Sequence, residues 1–282
     1  MIAALANRQS TELNGISQSW IVWDGPGTPG RCAVVLLHGI LQRASPQSHI
    51  GRHLARFHPV IMPDLRGRGE TPLPLDASSD PATIAVDVAR LIEYLELTRV
   101  VVIGRNHGGV VGYHLAANRP DLVHGLVLGD CSPEIDQARA DRRLEFISRI
   151  PRSFANDSEA MAFYTERLGV SEARARHDLP DDLLEQNGSL TWRHDLAAVA
   201  RVEAAAAPRN DWDVLAKVAA PTLVLRGQRR GISDAIAARM RSVMPSVEMQ
   251  TIVGSGPDVF LGPGAEQTRG AVDMFLMRLN AT

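Results

Sequence analysis

Six short runs of almost unbroken apolar, β-branched residues constrain this chain more than any other feature. They are CAVVLLHG (32–39), HPVIMPD (58–64), RVVVIG (99–104), HGLVLGD (124–130), PTLVLRG (221–227) and EMQTIVG (248–254). A strand with one face in water alternates apolar and polar residues. A strand without that alternation is covered on both faces, as in a parallel sheet between helices. The intervening stretches suit that arrangement: DPATIAVDVARLIEYLEL (80–97) puts Ile84, Val88, Leu91, Ile92 and Leu95 on one side of a helix. The order is βαβα, so the predicted class is α/β, with an antiparallel hairpin near residues 17–23 at one edge.

The rhythm breaks once. Residues 132 to about 209 read as helical and arginine-rich, with no strand. The expected organisation is a core in two parts, residues 1–131 and 210–282, with a helical cap at 132–209 over the carboxyl ends of the strands, where open α/β sheets bind ligands. At 282 residues and 45% hydrophobic content the chain can bury one large core.

Charge and composition exclude several partners. A formal net charge of −2 offers no basic footprint for nucleic acid or an anionic membrane. No stretch approaches the ~18 apolar residues of a membrane span, and residues 1–15 lack the charged start and apolar run of a secretory leader. A cytoplasmic location is therefore expected. Cys32 and Cys131 have neither metal-ligand spacing nor the count of a disulfide framework, and His49, His53 and His58 fall on a polar helix and loop. No metal and no cofactor are expected; the expected partner is a largely apolar small molecule.

The segment GRNHGGVVGYHLA (104–116) carries the chemical question. Its glycines have the spacing of a strand-to-helix turn that presents a nucleophile, Gly-x-Ser-x-Gly, but the central residue is Asn106. Around it, VVLLHGI resembles the strand and His-Gly oxyanion loop of the α/β-hydrolase family, and VIMPDLRGRGET its Asp-x-Arg-Gly-x-Gly segment. The run VVIGRNHGGVVGYHLAANRPDLVHGLVLGD resembles the family's strand, elbow, helix and next strand. IVGSGPDVFL resembles its histidine loop, and NGSLTWRHD the cap end of small cofactor-free members. The likeness runs from Val34 to Met277 and implies an α/β-hydrolase fold, a mostly parallel sheet flanked by helices with an inserted helical cap.

The same likeness implies a degenerate catalytic triad. The serine position holds Asn106, the aspartate position after PTLVLRG holds Arg230 (or Arg229), and the histidine position holds Pro257. An amide is no nucleophile at neutral pH, proline relays no proton, and arginine repels an imidazolium. Asparagine does tolerate the positive φ of an elbow.

What remains is oxyanion machinery made of backbone amides, at Ile40 or Leu41 after His38-Gly39 and at His107. Asn106 and His107 are the candidate catalytic residues: His107 as acid or base against a packed, hydrogen-bonded histidine, and Asn106 as a hydrogen-bonding or water-holding group against a purely backbone role. His38, Gly39, Ile40, Leu41, Arg105 and Asp130 are the candidate substrate-binding residues, with structural roles open for His38 and Asp130. Asp258 is expected to face away. The leading expectation is a non-hydrolytic, cofactor-independent lyase, isomerase or cyclase acting on an apolar carbonyl compound, of the kind found in bacterial secondary-metabolite biosynthesis. Two alternatives stand beside it: a catalytically inactive small-molecule-binding protein, and a hydrolase with relocated catalytic residues around Asp130, Cys131 and His107.

Overall fold

The structure, a computed structural model, describes residues 5–24, 31–45, 48–229, 231–256 and 258–281. Its first element is a hairpin. Strands β1 (Leu5–Leu13) and β2 (Ile16–Asp24) pair antiparallel around Asn14-Gly15, whose φ values of 51° and 74° are those of a two-residue turn matched to strand twist. Then follow β3 (Ala33–Leu37), α1 (His49–Leu54), β4 (Val60–Pro63), α2 (Pro81–Tyr94), β5 (Val100–Arg105), α3 (His107–Asn118) and β6 (Val123–Gly129). After the inserted segment come α8 (Trp212–Leu215), β12 (Thr222–Gly227), α9 (Asp234–Val243), β13 (Val247–Ile252) and α10 (Ala265–Asn280).

Eight of these strands form one sheet in the order β1-β2-β4-β3-β5-β6-β12-β13. Every pair from β4 to β13 is parallel, and β2 joins β4 antiparallel. The six apolar runs are the six strands from β3 to β13, and a hairpin lies at the edge as expected, with its turn at Asn14-Gly15 and residues 17–23 inside its second strand. Both faces are covered. Val35, Val102 and Leu128 face a cluster with Ile84, Val88 and Leu115 of the helices on one side. Val34, Ile103 and Val127 face Leu54 and Phe275 on the other. Asp80 caps α2 by accepting from Thr83 N–H at 3.0 Å, with Pro81 at the first helical position.

The inserted segment differs from its sequence expectation. It contains α4 (Gln137–Ser148), α5 (Asp157–Ala162), a π-helical turn (Phe163–Arg167), α6 (Glu172–Asp182) and α7 (Leu196–Ala206). It also holds strands: β7 (Glu134–Ile135) with β11 (Arg209–Asn210), and β8 (Ser153–Phe154), β9 (Leu183–Gln186) and β10 (Ser189–Trp192) in a small antiparallel sheet. The β9–β10 turn is Asn187-Gly188, φ 52° and 75°. That dipeptide is a strong hairpin signal, and it overrides the helical character of the residues on either side.

Candidate active site at the elbow

Strand β5 runs into α3 through a turn at which Asn106 has φ 51° and ψ −116°, a strained conformation for a residue with a Cβ. Two glycines make the turn possible. A Cβ on Gly104 would lie 2.4 Å from Gly108 O, and one on Gly108 would lie 2.2 Å from Leu37 O. The turn is pinned by Asn106 N–H donating to Gly129 O at 3.1 Å. Its side chain closes on its own helix: Asn106 Oδ1 accepts from His107 N–H at 2.9 Å.

The loop after β3 faces the elbow. His38 is buried, and its two partners fix its tautomer. Leu65 N–H can only donate to Nε2 (3.0 Å), so Nδ1 carries the proton and donates to Gly39 O (2.9 Å). Burial, with Arg68 nearby, holds its pKa well below the usual imidazole range. The far end of the loop is tied down by buried Asp64, which accepts from Ala44 N–H at 2.6 Å and from Arg8 Nη1 at 2.5 Å.

Between elbow, oxyanion loop and inserted segment lies a cavity of about 610 Å³. Gly39, Ile40, Leu41, Arg105 and Asn106 line it from the core side. Phe146, Ile150, Phe163, Leu168, Val170 and Trp192 form its apolar wall. Trp192 is held in place by donating Nε1–H to Pro151 O (2.7 Å) and by stacking on Tyr164 at 6.1 Å.

Carboxylates also line the cavity, and they are organised. Asp258 Oδ2 pairs with Arg105 Nη2 at 3.0 Å and Arg174 Nη1 at 3.4 Å, while its Oδ1 is buried without a hydrogen-bond partner. Arg174 also pairs with Asp178. Tyr164 Oη–H donates to Asp182 Oδ2 at 2.7 Å. Burial, together with neighbouring Asp178 and Asp181, pushes Asp182 up to about 7. Glu203 pairs with Arg143: Oε2 accepts from Nη2 at 3.0 Å, and Oε1 lies 2.8 Å from Nε.

Several residues named from sequence lie elsewhere. His107 does not line the cavity. It is buried at 3% exposure, and burial, reinforced by Arg68 and His38, holds it neutral with Nε2 unpartnered. The physical reason is the elbow itself: Asn106 takes the cavity side of the turn, and the next residue starts α3 facing the core. His38 lines a smaller adjoining pocket of about 110 Å³ rather than the main cavity. Asp130, at φ 45°, is also outside the cavity. It accepts from Ile232 N–H (3.0 Å) and Gly227 N–H (3.4 Å), anchoring the loop after β12, and burial pushes its pKa up to about 6. Cys131 is buried with its thiol pushed up to about 12, and Ser132 Oγ–H is spent on Glu134 O, so neither is a nucleophile. Arg230 and Pro257 lie outside the described residues. Among the described residues no group of three or more His, Cys, Asp or Glu could hold a metal ion, and no helix is long and apolar enough to cross a membrane.

The sequence profile of the alpha/beta hydrolase family matches residues 34–267. The chain belongs to that family. Among its relatives within the alpha/beta hydrolases is the sn-1-specific diacylglycerol lipase ABHD11 of Xenopus laevis, 31% identical over 200 residues, covering 66% of this chain and 61% of that one. Lipase LipV of Mycobacterium tuberculosis is 31% identical over 184 residues, 62% of this chain and 66% of that one. The matched stretch thus spans between 61% and 66% of the length of these lipases. A soluble epoxide hydrolase of a Corynebacterium is 35% identical over 126 residues, 45% of this chain and 42% of that one. Among solved structures, E-2-(acetamidomethylene)succinate hydrolase superposes with a TM-score of 0.84 at 20% identity, covering 96% of this chain and 99% of that one, a likeness of fold.

These names correct the leading expectation from sequence. An elbow without serine suggested a lyase, isomerase or cyclase, yet the related alpha/beta hydrolases are lipases and an epoxide hydrolase. Asp258, expected to face away, instead lines the cavity, paired with Arg105 and Arg174. Position alone was the available signal, since Asp258 follows the residue at which the family carries its histidine.

Proposed function

We propose that this alpha/beta hydrolase cleaves esters or thioesters of apolar acyl groups by direct attack of water, with the family's serine–acid–histidine triad lost at Asn106, Arg230 and Pro257. In this reading residues 132–209 are the cap over the site. One observation carries the proposal: Asp258 lines the elbow's cavity with one oxygen held by two arginines and the other unpartnered. The two guanidiniums fix the carboxylate at the cavity wall, and Oδ1, which no donor occupies, is the oxygen assigned to take a proton from water.

The chemistry balances without a covalent intermediate. Asp258 takes a proton from a water whose oxygen adds to the carbonyl carbon. The resulting oxyanion lies against the N–H groups of Ile40 and His107, displacing Asn106 Oδ1 from the latter. Collapse breaks the acyl–oxygen or acyl–sulfur bond, and the leaving atom takes its proton from Asp182, which is partly protonated near neutral pH. The products are a carboxylic acid and an alcohol or thiol. The names of the lipase relatives support the substrate class.

Turnover of p-nitrophenyl octanoate tests the reading. Asp258→Asn should lower kcat by on the order of 100-fold or more, while a serine-directed fluorophosphonate leaves the wild type active. Full fluorophosphonate inhibition, or an undiminished Asp258→Asn enzyme, would overturn it. A binding-only protein is the second reading, favoured by Asn106 covering its own oxyanion donor. Ligand retained with no turnover would select it.

A further inference from the structure

Helix α4 lays a polarity gradient along the cavity. Arg139, Arg142 and Arg143 precede Phe146, Ile147 and Ile150, and all six line the same space. The spacing i, i+3, i+4, i+7 puts Arg139, Arg142, Arg143 and Phe146 on one face, with Arg139 and Phe146 roughly 10 Å apart along the axis. One end of the wall is therefore cationic and the other aromatic and aliphatic.

The arginines are not equivalent. Arg143 is matched by Glu203, and on the opposite wall Arg105 and Arg174 are matched by Asp258 and Asp178. Arg139 and Arg142 are exposed, and neither makes an ion pair or a side-chain hydrogen bond among the described residues. Two acids lie near Arg139 and both are engaged with backbone: Asp136 caps α4 by accepting from Arg139 N–H at 2.7 Å, and Asp130 accepts from two backbone N–H groups. Two guanidiniums at the rim of an apolar cavity thus have donors free in a fork suited to carboxylate or phosphate oxygens.

We infer that Arg139 and Arg142 form an anion subsite, and that the cavity takes amphiphiles with a carboxylate or phosphate group at the α4 rim and an apolar body against Phe146, Phe163 and Trp192. This rests on the proposed hydrolase site for its carbonyl position, but the subsite itself is a binding property.

Calorimetric titration of the intact protein with octanoate, octyl phosphate and 1-octanol tests it independently of turnover. The wild type should bind at least one of the two anions about tenfold more tightly than octanol, with the preference shrinking as salt is raised. The stronger of the two identifies the headgroup. R139Q with R142Q should abolish the preference while leaving octanol affinity unchanged, and Arg142→Glu should reverse it. Equal affinity for octanol and both anions, or a preference that survives the double substitution, would overturn the subsite. Loss of p-nitrophenyl octanoate hydrolysis alone would count against the catalytic reading and leave the subsite standing.

Discussion

Asn106 holds φ 51° and ψ −116° because the turn demands it. The cost of that conformation depends on what sits at the position. Asparagine is among the residues that adopt positive φ most readily, glycine pays nothing for it, and β-branched residues pay most. Urea unfolding of a series at this position should therefore rank Asn106→Gly within about 0.5 kcal/mol of wild type, with Asn106→Ala about 1 and Asn106→Val about 2 kcal/mol less stable. A flat series would mean that the turn relaxes when its side chain changes. The elbow's backbone role was legible in the sequence, since glycine spacing encodes local close approach. The partners of Arg105 were not. Asp258 reaches it only when β5 and the loop after β13 are brought together across the sheet, and no local pattern records that meeting.

At the scale of elements, α6 ends where a carboxylate is least welcome. Asp181 and Asp182 sit in its last turn, with Asp178 one turn below Asp182, at the negative end of the helix dipole. Burial, aided by Asp178 and Asp181, pushes Asp182 up to about 7, against about 4 for an unfolded carboxyl. Between those values the folded state holds the extra proton, so stability is fully present at low pH and falls as pH rises through about 7. Asp182→Asn should flatten that fall, gaining on wild type by on the order of 4 kcal/mol between pH 4 and 8. Unfolding midpoints at a series of pH values check it, and parallel curves would remove Asp182 as the buried proton holder. Tyr164→Phe should raise the carboxyl further, because the phenol's hydrogen bond favours the ionised form. Element type was partly readable here: the strands followed from unbroken apolar runs, while the β9–β10 hairpin was hidden among helical neighbours despite its Asn-Gly turn.

The whole molecule divides by where its apolar residues pack. The sheet is sandwiched between two clusters that include Val102, Leu115, Val127 and Phe275, whereas the segment between β6 and β12 has a smaller cluster of its own around Phe154, Phe163 and Val199. Less buried apolar area means less free energy opposing local opening, and the cavity lies between the small cluster and the sheet. Hydrogen exchange should therefore find the amides of α4, α5 and α6 exchanging at least about tenfold faster than those of β5 and β6, a difference of ~1.4 kcal/mol in opening free energy. A bound amphiphile bridges both parts and binds only the closed form. Saturating octanoate should slow exchange in α4 and leave β5 and β6 unchanged, because those strands already open only with the whole fold. Equal protection of strands and inserted helices would mean one cooperative unit, and the site would then have to load its substrate without the segment over it opening.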